Sequence, residues 1–181
     1  FHSLFHSISG RTAGFSTVNF NQATDLHNLV FAGLMFIGGA AGSTAGGIKV
    51  GTFAVIIIAV ISSVRGRDQA EAFGREIPSV QVSRAMSIAV LGITMVFLFS
   101  LILTFTEPDA SFLPMLFDTV SAFATTGLSS GVTEKLSTTG STLFILAMFA
   151  GRLGPLTLAL ALAPKEKTVL YRFAQERVRI G

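Results

Sequence analysis

The sequence predicts an all-α integral membrane protein whose helices repeat in parallel units around an axis along the membrane normal. Three observations carry that reading. Half of the 181 residues are apolar, only 13% are charged, and the mean hydropathy is +0.67; a soluble domain carries roughly twice that charged fraction. Residues 86–105, MSIAVLGITMVFLFSLILTF, hold no formal charge. At ~1.5 Å per residue such a helix is ~30 Å long, the thickness of a bilayer hydrocarbon core. Finally, two stretches overlay. Phe5, Ser9, Thr12, Gly14 and Phe15 align with Phe117, Ser121, Thr125, Gly127 and Leu128 once one insertion is allowed, and Met35-Phe36-Ile37-Gly38-Gly39 aligns with Met148-Phe149-Ala150-Gly151-Arg152. Both pairings give nearly the same offset, the mark of a repeated architectural unit.

Taken in order, each unit reads as a short apolar helix, a Thr/Gly turn and an interrupted spanning segment. In the first unit the short helix leads to Thr12-Ala13-Gly14-Phe15, and apolar residues 29–37 and 48–64 flank residues 38–49, GGAAGSTAGGIK. Five of those twelve residues are Gly. Glycine costs ~1 kcal/mol relative to Ala within a helix, so the run predicts a break. Irregular backbone at membrane depth is tolerated only where protein buries it or a watery cavity borders it. In the second unit, residues 86–105 cross first. Residues 112–123 form the short helix, 124–130 the turn and 139–163 the interrupted segment.

Charge sets orientation. Arg65, Arg67, Arg75 and Arg84 lie between two apolar segments, and Lys165, Lys167, Arg172, Arg177 and Arg179 lie in the tail. Cytoplasmic loops hold the excess of Lys and Arg, so both regions are expected inside, the C-terminus with them. The pI of 9.8 therefore reports topology, and nucleic acid is not the expected partner. A unit with two full crossings leaves its successor in the same orientation, so the repeats are parallel, whereas many secondary transporters use inverted ones. The chain has no Cys, its three His do not fall at ligand spacing with carboxylates, and no nucleophile–base set appears. An enzyme is not expected. The chain opens inside a motif without an initiator Met, and it is expected to be the C-terminal piece of a longer protein.

The turns suggest the chemistry. Gly14 and Gly127 can adopt φ > 0, which lets successive carbonyls face one side, and a ring of carbonyls replaces the hydration shell of a cation. A plain Gly C-cap explains one such turn; duplication after similar short helices favours a filter. For residues 38–49, close helix packing through small residues is the simpler alternative, but packing needs one small residue every four and here they cluster. A phosphate loop is excluded, because Lys49 follows Ile48 where that motif needs Gly-Lys-Ser/Thr. Arg152 lies mid-segment, where a charge costs at least ~2.5 kcal/mol. Two readings stand for it: a partner of the Gly-rich loop that sets a cationic barrier, or a cap for carbonyls freed near Gly154-Pro155. Arg11 is expected to brace the turn, and Asp118 to bond locally.

At SGRTAGF (residues 9–15), GGAAGSTAGGIK (38–49), FATTGLSSG (123–131) and GRLGPLTLALAL (151–162), the chain resembles the Trk/Ktr/HKT superfamily of potassium transporters, most closely the bacterial Ktr membrane subunits. Gly10 departs from the Ala expected there. The resemblance implies a potassium-channel-like fold of four helix–pore-loop–helix repeats. Residues 1–82 are then the third repeat without its first helix, 83–164 the fourth, and 165–181 a cytoplasmic basic tail. It implies K+ on backbone carbonyls of Thr12, Ala13, Gly14, Phe15, Ala124, Thr125, Thr126, Gly127 and Leu128. It also implies a gate of Gly38, Gly39, Gly42, Ser43, Thr44, Gly46, Gly47 and Arg152, with Na+ as a coupling or regulatory ion. The expected setting is the bacterial cell membrane, as a homodimer in lipid. The expected partners are a cytoplasmic nucleotide-binding ring subunit and the preceding repeats of the same protein. The alternatives are a secondary transporter of a small solute held at a broken helix and a non-conducting structural or regulatory subunit.

Overall fold

Capping and breaks place the helix ends along this chain. The computed structural model describes residues 1–67, 69–155 and 157, so the basic tail and residues 156 and 158–163 of the last predicted segment lie outside the described residues. Helix α1, His2–Ser9, is followed by α2, Asp25–Phe36, whose N-cap Thr24 accepts a hydrogen bond from the His27 amide. Asp25 in its first turn complements the positive end of the helix dipole. Helix α3, Val50–Val64, begins where the Gly run ends.

Helix α4, Ser79–Thr106, is the predicted crossing extended by two turns into the polar stretch before it. Only 22% of its most apolar window is buried. Val90, Ile93, Phe97, Leu98 and Phe105 are all exposed. A core helix of a soluble protein would bury most of such a surface, so these side chains suit lipid. Helix α5, Phe112–Phe123, has the bounds read from the sequence, and α6, Thr138–Leu153, starts at N-cap Ser137, which accepts from the Gly140 amide. Glu107 in turn accepts from the Ser137 amide, tying the end of α4 to the start of α6.

One expectation needs correction. The chain is not purely helical, because strands β1, Ala70–Ala72, and β2, Arg75–Ile77, pair antiparallel between α3 and α4. The Phe73-Gly74 turn has both residues at positive φ, the geometry that matches the twist of a two-residue hairpin. Alternation over three-residue strands is too short to read from a sequence.

Helix α5 is the centre of the fold and packs against α2, α4 and α6. Phe20, Phe31, Met35, Val96, Phe117, Phe123 and Leu128 form the main core, with the Phe20 and Phe117 rings 5.1 Å apart. That core joins the two units. Inside a bilayer the lipid is as apolar as these side chains, so close packing rather than water exclusion holds the helices. Gly151 shows how close: a Cβ there would stand 1.8 Å from the Phe123 carbonyl oxygen. Gly151→Ala is expected to cost about 3 kcal/mol by overpacking. A lower thermal midpoint of the detergent-solubilised protein checks it.

Candidate functional site

The two Thr/Gly turns share one backbone signature. Thr12 and Gly14 have φ +71° and +76°; Thr125 and Gly127, each 113 positions later, have φ +55° and +88°. Ala13 and Thr126 between them are not left-handed. Such alternation turns neighbouring carbonyls to one side instead of to opposite sides. A left-handed Thr costs roughly 1–2 kcal/mol, and both turns hold one where Gly would be free of strain. The turns meet backbone to backbone. A Cβ on Gly14 would fall 2.3 Å from the Thr126 carbonyl oxygen, while one on Gly127 would have Gly14 Cα as its nearest neighbour at 3.8 Å.

A buried polar side chain in each short helix holds the strand that leaves the turn. Asp118, 2% exposed on α5, accepts from the Ser130 amide at 2.6 Å and from the Thr133 amide at 3.2 Å. It also accepts from the hydroxyls of Ser129 at 2.8 Å and Thr133 at 2.9 Å. In the aligned position of α1 stands His6, whose Nε2 is 3.0 Å from the Thr17 hydroxyl. The brace is duplicated with different chemistry. Ser9, the aligned partner of Ser121, donates its hydroxyl to the Phe15 carbonyl.

Beneath the turns, residues 37–49 leave the helical path. Their neck is closed by backbone bonds: the Gly38 amide to Ile48 O at 2.7 Å, the Ile48 amide to Phe36 O at 3.1 Å, and the Val50 amide to Gly39 O at 3.1 Å. Arg11 donates to the Leu34 and Ile37 carbonyls, both at 2.8 Å. It therefore caps the end of α2, which would otherwise leave carbonyls unpaired, and does not bond the turn as the sequence reading has it. Three side chains then hold the loop tip. Arg152 on α6 donates to the Thr44 carbonyl, Lys49 donates to the Ser43 and Ala45 carbonyls, and the Gly46 amide donates to Thr125 Oγ1 at 2.9 Å. Among the described residues the one ion pair is Arg67 with Glu71, so Arg152 and Lys49 meet backbone dipoles rather than carboxylates.

The family model described as TrkH, a cation transport protein, matches residues 1–171. The chain belongs to the TrkH family. Over its full length it is 38% identical to Ktr system potassium uptake protein D of Bacillus subtilis, of which it spans 40%. It is 39% identical over 99% of its length to Ktr system potassium uptake protein B of Vibrio alginolyticus, of which it spans 39%. Potassium/sodium uptake protein NtpJ of Enterococcus hirae is 32% identical over 99% of this chain. The chain thus spans about two fifths of the length of these relatives. The fold matches the crystal structure of the potassium transporter TrkH from Vibrio parahaemolyticus, with TM-score 0.72 over 90% of this chain and 37% of that one, at 23% identity.

In this TrkH-family chain the residues singled out by sequence fall into two adjacent layers. The two turns touch where Gly14 abuts Thr126 and Gly127, while Thr125 accepts from the Gly46 amide of the loop. Leu128 turns its side chain into the core. Gly38 and Gly46 press together, since a Cβ on Gly38 would meet Gly46 O at 2.1 Å, and Gly47 lies against Ala124. Gly39 abuts Ser43, while Gly42, at φ +82°, has open space around it at the loop tip. Thr44 contributes its carbonyl to Arg152. Sequence reasoning missed Lys49 and gave no role to Asp118 or His6 beyond local bonding. A short polar residue aligned in both short helices was the available signal.

Proposed function

We propose that the chain supplies two of four repeats of a bacterial potassium uptake protein, in which the paired turns form half of a carbonyl-lined filter. Residues 1–82 and 83–164 are the two repeats and 165–181 a cytoplasmic tail. The observation that carries the reading is the pair of left-handed Thr and Gly positions, 12/14 and 125/127, meeting across the Gly14–Thr126 contact. Carbonyls turned to one side on two abutting strands suit a weakly hydrated monovalent cation and need no acidic ligand. The relatives named as potassium uptake proteins support K+ as cargo, and the relative named for potassium and sodium supports Na+ as a second ion.

Residues 38–47 act as the gate, held under the filter by Arg152. Homodimerisation in the cell membrane, a cytoplasmic C-terminus and regulation by a nucleotide-binding ring subunit belong to the same reading. Uptake by potassium-starved cells expressing the full-length protein tests it. Arg152→Ala and deletion of residues 42–47 are expected to raise potassium flux severalfold by freeing the loop tip. Unchanged flux and unchanged regulation in both variants would remove the gate from the scheme.

A further inference from the structure

We infer that Thr125 is a latch shared between filter and loop, so that an ion at the inner end of the filter and the closed loop compete for one hydroxyl. The inference rests on the filter reading above and adds a regulator to it, the transported cation itself.

Thr125 is the second residue after α5 ends at Phe123, so it stands at the deep end of the turn, next to the loop. Its side chain is the sole side-chain acceptor for the loop amides among the described residues. Its backbone is left-handed, as is that of Thr12 in the other turn. Both turns therefore keep a hydroxyl at the same strained position, and the shared feature points to a shared use: an oxygen ligand for a hard cation. The difference between them is the loop. The Gly46 amide points its hydrogen at Thr125 Oγ1, and no described residue of the loop bonds Thr12.

An amide hydrogen and a cation both present positive charge to the oxygen, so each weakens the binding of the other. The contact is tight enough to enforce that exchange. A Cβ on Gly46 would lie 2.8 Å from Thr125 Cγ2, 2.9 Å from Phe123 O and 3.0 Å from Thr125 Oγ1. The loop cannot shift at Gly46 without releasing the hydroxyl, and an ion that draws on the same oxygen weakens its bond to the Gly46 amide. Coupling of this kind is reciprocal: potassium at the inner end favours the open loop, and the closed loop lowers affinity there.

Loop accessibility reads the coupling. Ala41 is exposed near the loop tip, and this chain has no Cys, so Ala41→Cys in a full-length transporter freed of other cysteines gives one thiol. Its labelling rate is measured from the cytoplasmic face of inside-out vesicles, in potassium and in N-methylglucamine. One net hydrogen bond corresponds to roughly fivefold, so potassium is expected to speed labelling about fivefold. Thr125→Val labels at the fast rate in both media, and Thr125→Ser restores the potassium response. Gly46→Ala, whose methyl group would meet Thr125 Cγ2 at 2.8 Å and so wedge the loop away while leaving the Thr125 hydroxyl in place, also labels fast in both and serves if Thr125→Val does not assemble. Labelling indifferent to potassium in the parent protein overturns the latch, as does a potassium response that survives in Thr125→Val or Gly46→Ala. Arg152→Ala separates the two readings. If it speeds labelling while potassium does not, the gate stands and the latch alone fails; if it changes neither labelling nor flux, the gate itself fails.

Discussion

Gly14→Ala is expected to reach the membrane and to lose potassium uptake by about 100-fold, the rate equivalent of ~2.7 kcal/mol. Two effects add. An L-residue at φ +76° costs roughly 1–2 kcal/mol. The new methyl group would also stand 2.3 Å from the Thr126 carbonyl oxygen, and the displaced neighbour is backbone, which cannot swing aside as a side chain does. Gly127→Ala is the internal control. Its φ of +88° imposes similar strain, but its nearest neighbour would be 3.8 Å away, so a loss of about tenfold is expected. Initial rates of rubidium or potassium uptake, normalised to membrane abundance, compare the two. Equal losses would show that backbone strain alone sets the effect and that contact between the turns does not.

Asp118→Ala is the second large effect. It strips acceptors from the amides of Ser130 and Thr133 and from two hydroxyls at a site 2% exposed. Hydroxyls can turn to other partners, but the two amides cannot. Leaving both unpaired in a buried place costs about 4 kcal/mol, at ~1–3 kcal/mol for each group. Asp118→Asn keeps the shape and one acceptor oxygen and is expected to lose about half as much. Because the carboxylate holds the strand just past Gly127, the damage should appear as weaker discrimination of potassium from sodium as well as lower thermal stability. A transporter that is destabilised yet fully selective would separate the brace from the filter.

What could be read in advance follows the range of the interactions. Helix α5, the crossing within α4 and the break at residues 38–47 depend on local composition, and each was legible from residue types a few positions apart. The partners of the charged residues were not. Arg152 reaches Thr44 over 108 positions, and Arg11 reaches Leu34 and Ile37 over 23 and 26. The alignment of the two units put Arg152 level with Gly39 and so narrowed the first. Nothing local distinguished the end of α2 from the turn as the target of Arg11. Lys49 reads locally only as a residue that breaks the phosphate-loop pattern, because the Ser43 and Ala45 carbonyls it meets are brought to it by the fold of the loop. His6 and Asp118 share an aligned position, but unlike residue types hid a common task.

The closed neck at Ile37 and Ile48, paired as an isolated parallel bridge, makes the Gly-rich segment a lasso. In the proposed gate the noose would tighten or slacken while the rope on either side stays still, since α2 and α3 are tied to each other at the neck. Opening of that kind needs no bending of a spanning helix and no sliding of one unit past another. It would be quick and local, and its sensitivity to temperature would be that of a few hydrogen bonds rather than of a domain. Insertion of one or two residues at Gly42, where nothing crowds the chain, would lengthen the noose and leave the knot intact.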